Sequence, residues 1–356
     1  MGRAILLYGA NGFTGKLIIK ELVNRKINFT VAGRNENEIK ALGEAYNVDY
    51  RIFDLNDHQN ICRHIASHKL VIHAAGPFIY TAEPMIKACI DQGVHYIDIT
   101  GEIQVFELAK SLGKAAAERG VLLLPGAGFD VVPTDCAGLM AKEALEEAQS
   151  LEIAFYQKGG QISRGTMKTS VLGMADKGRV RKDGQLTAEN TGKRSKVIEF
   201  DHQLKRHVMS IPWGDVSTAH HTTGIPNIVA YMAVHPRTIR LVKFQSLLRP
   251  LFRIKWLRNW MLKKIDDRPP GPDQSTMETA STYIYARAAD RNGRSACIRL
   301  KCQEAYSLTS FFAAHIAEQV LQDSFTPGFQ TPASMFGSQL IFELKTTQKI
   351  EGLTCD

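Results

Sequence analysis

Seven residues near the start of the chain, Gly9-Ala10-Asn11-Gly12-Phe13-Thr14-Gly15, have the composition and spacing of a phosphate cradle. Gly9 allows a sharp turn, Gly12 lets the backbone approach a pyrophosphate, and Gly15 lets a helix pack close to a strand. Three glycines alone are a weak signal, but the flanks add to it. The apolar run Ala4–Tyr8 precedes them and the amphipathic run Lys16–Val23 follows, so the motif reads strand, turn, helix. The first amides of that helix and its positive dipole end favour phosphate. The motif therefore predicts a dinucleotide site formed by Gly9, Asn11, Gly12, Phe13, Thr14 and Gly15.

The second strand, 28–33, ends at Gly33-Arg34, where a site for NAD would carry an acidic residue. A guanidinium suits a ribose 2′-phosphate, which it grips through two parallel hydrogen bonds. Arg34 therefore selects NADP, the alternative being a solvated arginine at a strand end. Asp54, after the third strand, stands where adenine-contacting groups sit. Ala75-Gly76-Pro77 and Thr100-Gly101 end the fourth and fifth strands, where the nicotinamide half belongs.

A hydride from such a cofactor needs a proton supplied or removed alongside it. Four residues are candidates: Tyr80 after Gly-Pro-Phe, Asp130 and Asp135 in the turn PGAGFDVVPTD, and His220. Each has a plainer reading. Tyr80 packs on its loop, Asp130 braces the turn, and Asp135 (or Thr134) caps the next helix. His220 and His221 then form a hydrogen-bonded loop pair. Adjacent histidines are a poor metal spacing, and no metal site is expected. Glu102, in Thr-Gly-Glu, is a helix-start carboxylate or a substrate contact. Arg164 and Lys168, one helical turn apart, hold an anionic substrate group or line a solvated face.

These residues need a scaffold. Over the first 125 residues strand and helix patterns alternate, with strands at 3–8, 28–33, 49–53, 69–75, 95–98 and 121–124, the signature of a parallel α/β sheet. Helices are predicted at 14–25, 36–45, 57–66, 82–92 and 104–118. A helix at 134–148 follows, then strands at 151–157, 196–201, 227–234, 281–290 and 296–303, with a helix near 164–176 amid loops. A further helix spans 307–322. The reading places a dinucleotide domain at 1–133 and an α+β substrate domain at 134–322, with 323–356 returning to the first.

The chain has 356 residues, 44% of them hydrophobic, enough for two cores. Its net charge of +8 equals the charge of the window 239–264, which holds eight Lys and Arg and no acidic residue. That window also carries Phe252, Trp256 and Trp260 at intervals of four, and snorkelling lysines could set it on a lipid surface. Its alternatives are an acidic carrier protein or packed helices with a basic outer face; nucleic acid is not expected. No secretory signal or membrane-spanning run is evident. The six cysteines, without disulfide-like spacing, read as reduced thiols of a cytoplasmic protein, peripheral to a membrane if the basic window touches lipid.

Taken together, GANGFTG at 9–15, AGRN at 32–35, AAGPF at 74–78, VHYIDITGE at 94–102, PGAGFDVVPTD at 125–135, WGDVSTAHHTTGIPN at 213–227 and GFQTPASMFG at 328–337 resemble the saccharopine dehydrogenase-like family of NAD(P)-dependent oxidoreductases. The resemblance is to its short members, the saccharopine dehydrogenase-related proteins and trans-acting enoyl reductases, and it spans nearly the whole chain. It implies a Rossmann domain with a smaller α+β domain, an active cleft between them, and hydride transfer from NAD(P)H. It does not imply one substrate. C=C reduction on a lipid-like or carrier-bound thioester, C=N reduction of amino-acid adducts, and a non-catalytic dinucleotide-binding scaffold all remain open, as does the oligomeric state.

Overall fold

The computed structural model describes residues 3–242, 252 and 254–355. Lys243, Arg249, Pro250 and Arg253 of the basic window lie outside them. The chain divides into two compact units, 1–132 with 306–335 and 133–305 with 336–356. The division departs from the sequence reading at the C-terminal end. The helix predicted at 307–322 joins the first unit, and only 323–335 of the expected returning tail goes with it.

In the first unit six strands alternate with five helices. They are β1 (Arg3–Tyr8), α1 (Phe13–Asn24), β2 (Phe29–Gly33), α2 (Glu36–Tyr46), β3 (Tyr50–Ile52), α3 (His58–Ile65), β4 (His68–His73), α4 (Phe78–Gln92), β5 (His95–Asp98), α5 (Ile103–Glu118) and β6 (Leu122–Leu124). With β15 (Gly328–Phe329) they form a seven-stranded parallel sheet in the order β15-β6-β5-β4-β1-β2-β3. Strands covered on both faces read as continuous apolar runs, and Ile5, Leu6, Leu7, Val71, Ile72 and Ile97 are fully buried. Local chemistry sets the helix ends. Asn35 caps α2 through Glu38 N–H and Asp57 caps α3 through Gln59 and Asn60 N–H, while Gly93 closes α4 with positive φ. All the strands run one way, so Tyr8, Gly33, Ile52, His73, Asp98 and Leu124 end at one sheet edge.

The second unit is built on a mixed sheet. Its strands are β7 (Ser150–Lys158), β8 (Gly178–Lys182), β9 (Gln185–Glu189), β10 (Ser195–Asp201), β11 (Leu204–Ser210), β12 (Asn227–Ala233), β13 (Ser281–Ala289), β14 (Ser295–Gln303) and β16 (Gln348–Lys349). The order is β10-β11-β12-β7-β13-β14-β16, with β12–β7 parallel, and the β8–β9 hairpin branching from β12. Around it lie α6 (Val132–Ala144), which starts at the unit boundary, then α7 (Arg164–Gly173), α8 (Asp215–Thr223), α9 (Lys255–Asp266) and α10 (Gln274–Thr279); α11 (Ala305–Leu321) then leads back into the first unit.

Three sequence expectations need correction. The stretch after α7 is not loop: Asp183-Gly184, both at positive φ, turn the hairpin β8–β9. Asp-Gly is the sequence sign of such a turn. His220 and His221 sit on α8 rather than in a loop. Finally, the cysteines are not all thiols, because Cys297 on β14 is disulfide-bonded to Cys355, with Cα atoms 5.5 Å apart. Sheet topology brings together two residues 58 apart in sequence, which spacing arguments do not register. Among the described residues no helix is long and apolar enough to cross a membrane.

Candidate functional site

At the strand-end edge of the parallel sheet the glycine motif forms a tight cradle. Gly9 has φ +84°, and its amide donates to the Ala32 carbonyl at 2.9 Å. A Cβ on Gly15 would lie 2.4 Å from the Gly9 carbonyl oxygen and 2.9 Å from that of Ala10, so only glycine lets α1 start there. At Gly12 such a Cβ would meet one atom, the Gly9 carbonyl oxygen, at a tight 3.2 Å, and is otherwise clear of its neighbours. Gly12 is also the N-cap of α1 and brings no side-chain cap to the first helical turn, Phe13-Thr14-Gly15. This is the backbone a pyrophosphate needs at a helix N-terminus, and the residues present fit a dinucleotide.

Asn11 has a protein partner. Its side-chain amide donates to Glu38 at 2.8 Å, and Asn35 donates to the other Glu38 oxygen, also at 2.8 Å. Asn11 thus ties the cradle to the start of α2. Arg34 is exposed at the end of β2, and Asp54 is exposed just beyond β3. Tyr8, hydrogen-bonded to the Phe53 carbonyl at 3.1 Å, has its phenol pushed up to about 12 by burial, with the Arg34 cation opposing and the Asp54 carboxylate adding. Arg34 and Asp54 therefore flank the same strand end.

Next along the edge, Ala75-Gly76-Pro77 leads into α4. Glu102, from the loop after β5, caps that helix with both oxygens, accepting from Phe78 N–H at 3.0 Å and Ile79 N–H at 2.6 Å. Its carboxylate is thereby engaged by two backbone amides, the helix-start role. This cap starts α4 at Phe78 instead of the predicted 82. Tyr80 stands in the first turn, 61% exposed. The imidazole of His73 is fully buried, bonds Thr81 Oγ at 3.0 Å, and is pushed down to about 3 by burial, so it stays neutral.

Asp98 is the buried hub of this edge. It accepts from the Tyr96 hydroxyl at 2.7 Å and from Thr100 and Gly126 N–H, each at 2.9 Å, and burial pushes its carboxyl up to about 7. The Gly126 bond draws the turn carrying Asp130 onto Thr100-Gly101. A Cβ on Gly101 would come within 2.7 Å of Asp130 Oδ2. Asp130 is partly exposed, and its carboxyl too is pushed up to about 7, by burial and then by the Glu102 charge. A partly exposed acid, protonated near neutrality, thus lies against the Thr100-Gly101 loop.

The remaining predicted site residues belong to the second unit. Asp135 is fully buried on α6 and accepts from Thr222 Oγ at 2.6 Å. His220 Nδ1 meets the Ile225 carbonyl at 3.0 Å. Arg164 donates to the Asp266 carbonyl at 3.2 Å and Lys168 pairs with the Asp266 carboxylate at 2.5 Å, so both bind the end of α9. Sequence reasoning missed Asp98, although a buried acid at a strand end followed by Thr-Gly is a legible signal.

Residues 5–124 match the model of the saccharopine dehydrogenase NADP-binding domain. The chain is 24% identical over 399 residues to the saccharopine dehydrogenase-like oxidoreductase of Rattus norvegicus, covering 91% of this chain and 92% of that one. With the protein of the same name from Mus musculus it is 29% identical over 203 residues, half of this chain and 47% of that one. Two relatives with other names align over shorter stretches. They are a lipid droplet localized protein of Caenorhabditis elegans (28% identical; 48% of this chain, 45% of that one) and a trans-acting enoyl reductase of Mycobacterium ulcerans (28%; 37% and 33%). The fold is similar to that of apo saccharopine dehydrogenase (L-Glu forming) from Saccharomyces cerevisiae, with a TM-score of 0.66 at 12% identity, over 98% of this chain and all of that one. Residues 5–124 thus form an NADP-binding domain of the saccharopine dehydrogenase type, and over most of its length the chain is similar to a saccharopine dehydrogenase-like oxidoreductase.

Proposed function

We propose that the chain uses NADPH to reduce a C=C bond in a lipid-like or enoyl thioester substrate at a membrane surface. The substrate reading is carried by the outer face of α9, where Trp256 is 70% and Trp260 56% exposed. Lys255, Lys263 and Lys264 are exposed beside them. Indole rings with lysines on one short helix suit the headgroup layer of an anionic bilayer. The Caenorhabditis elegans relative's name, lipid droplet localized protein, and the enoyl reductase relative's name both favour it. C=N reduction of amino-acid adducts would need several arginines converging on carboxylates, and three of the second unit's arginines have other partners. Arg181 donates to the Val216 and Gly184 carbonyls, Arg194 pairs with Glu189, and Arg206 lies over the Tyr156 ring.

In this reading Gly12 and the first turn of α1 hold the pyrophosphate, and Arg34 holds the 2′-phosphate. Asp54 lies on the adenine side, while Ala75-Gly76-Pro77 and Thr100-Gly101 flank the nicotinamide ring. The bound cofactor supplies the hydride. Asp130 donates the proton to the substrate carbon next to the thioester carbonyl, being protonated up to about pH 7. Tyr80, Asp135 and His220 have no assigned step.

The test is NADPH consumption by the full chain with an enoyl thioester, in the presence of anionic or zwitterionic vesicles. The expected result is turnover stimulated by the anionic vesicles, with a blue shift of tryptophan emission that Trp256→Ala/Trp260→Ala abolishes. Turnover only with a 2-oxoacid plus an amino acid would assign C=N reduction instead. Tight NADPH binding without turnover would leave the scaffold reading.

A further inference from the structure

Away from the strand-end edge, three side chains of different chemistry converge between α3 and α4. His58 and Cys62 are one turn apart on α3, and Asp91 is on the last turn of α4. Their ligand atoms all lie within 4.8 Å of one another. His58 Nε2 is 2.8 Å from Asp91 Oδ2 and 3.6 Å from Cys62 Sγ. None of the three is buried in the core: His58 and Asp91 are exposed and Cys62 partly so.

We propose that His58, Cys62 and Asp91 bind one divalent ion of the zinc class. One imidazole nitrogen, one thiolate sulfur and one carboxylate oxygen form the mixed donor set that borderline-soft ions prefer. Metal–ligand bonds of about 2.0–2.3 Å at tetrahedral angles put nitrogen and sulfur about 3.6 Å apart. That is the separation between His58 and Cys62. Nitrogen and oxygen need about 3.4 Å, so the His58–Asp91 contact must open by roughly half an ångström. Both side chains are exposed, so the opening strains little. The Cys62 thiol gives up its proton on binding, and thiolate, carboxylate and neutral imidazole around the 2+ ion form a complex with no net charge. Three protein ligands leave a fourth position for water. The i, i+4 spacing of His58 and Cys62 on a helix predicted at 57–66 is visible in the sequence, but Asp91 joins them only through the packing of α3 on α4.

The test is titration of the metal-stripped full chain with Co2+, read by the thiolate-to-cobalt charge-transfer band, with Zn2+ displacing the cobalt. One Co2+ per chain is expected, with the band lost in Cys62→Ser and affinity weakened at least tenfold in His58→Gln and Asp91→Asn. All three variants change surface side chains, and unchanged NADPH binding checks their fold. A band that persists in Cys62→Ser, survives in His58→Gln at full affinity, or never forms would overturn the site.

Discussion

Gly12 and Gly15 are three residues apart and do different work, which their substitutions should separate. At Gly15 a methyl group meets two backbone oxygens, at 2.4 and 2.9 Å, that cannot move without dragging β1 from α1. Gly15→Ala should therefore cost on the order of 1–3 kcal/mol of stability and lose NADPH as well. At Gly12 the nearest atom is 3.2 Å away, so Gly12→Ala should keep most of the stability yet bind NADPH poorly, its methyl standing where the pyrophosphate approaches. Thermal unfolding and NADPH fluorescence measured on both variants decide this; equal stability losses would dissolve the distinction. Asp130 makes the other prediction at this scale. Its carboxyl, pushed up to about 7, is protonated in the folded chain over a range where the unfolded chain has released the proton. Stability contributed by this group therefore falls as pH rises from about 4 through 7, and Asp98 acts in the same direction. Asp130→Asn should flatten that fall. If Asp130 donates the proton, the variant should also lose about a hundredfold or more in kcat, together with the decline in rate above pH 7. Unchanged kcat would return Asp130 to the role of bracing its turn.

An element can owe its start to a residue far along the chain, and α4 is the case. No residue before Phe78 offers a side-chain cap, and Pro77 cannot. Glu102 does so from another loop, with both oxygens on successive amides. Glu102→Ala should cost about 1–2 kcal/mol and release the first turn, including Tyr80, seen as faster amide exchange at Phe78 and Ile79. Protection unchanged at those amides would show that the cap contributes nothing. The same residue shows where the sequence was legible. The buried strands and their alternating helices are written in runs such as AILLY and KLVIHAA, because a strand covered on both faces must be apolar throughout. The glycine cradle is legible for a similar reason, since close backbone approach admits one residue type. The Glu102 cap, the bond from Gly126 N–H to Asp98 and the contact of Gly101 with Asp130 join residues distant in sequence, and no local pattern encodes them. The Asp183-Gly184 turn is different: its signal is local, and a basic, glycine-rich surrounding masked it.

At the scale of the molecule, the two units are held by different means. In the first, one face of the sheet carries an apolar core that runs from Leu6 and Val71 through Tyr96 to Phe329. The second has a cluster of Val, Ile, Phe and Tyr on one face of its sheet, with Ile350 of the C-terminal tail packed against it, and specific bonds hold the tail as well. Ile350 N–H donates to the Arg299 carbonyl, the Arg299 guanidinium reaches the Thr354 carbonyl at 2.9 Å, and the Cys297–Cys355 bond closes the edge. That bond also removes the argument from cysteine spacing for a reducing compartment. Closing a loop of 58 residues restricts the unfolded chain by about 4 kcal/mol in the loop-entropy description. For a unit of this size that is roughly 10 °C of thermal stability. Cys355→Ser, or reduction of the native chain, should lower the unfolding transition of the second unit by about that amount. NADPH affinity should be unchanged, because the cradle is built wholly within the first unit. Thiol titration of the unfolded, unreduced chain should count four reactive cysteines, Cys62, Cys89, Cys136 and Cys302, rather than six. Six thiols with an unshifted transition would mean that the tail is held by Arg299 and the β14–β16 pairing without the covalent bond.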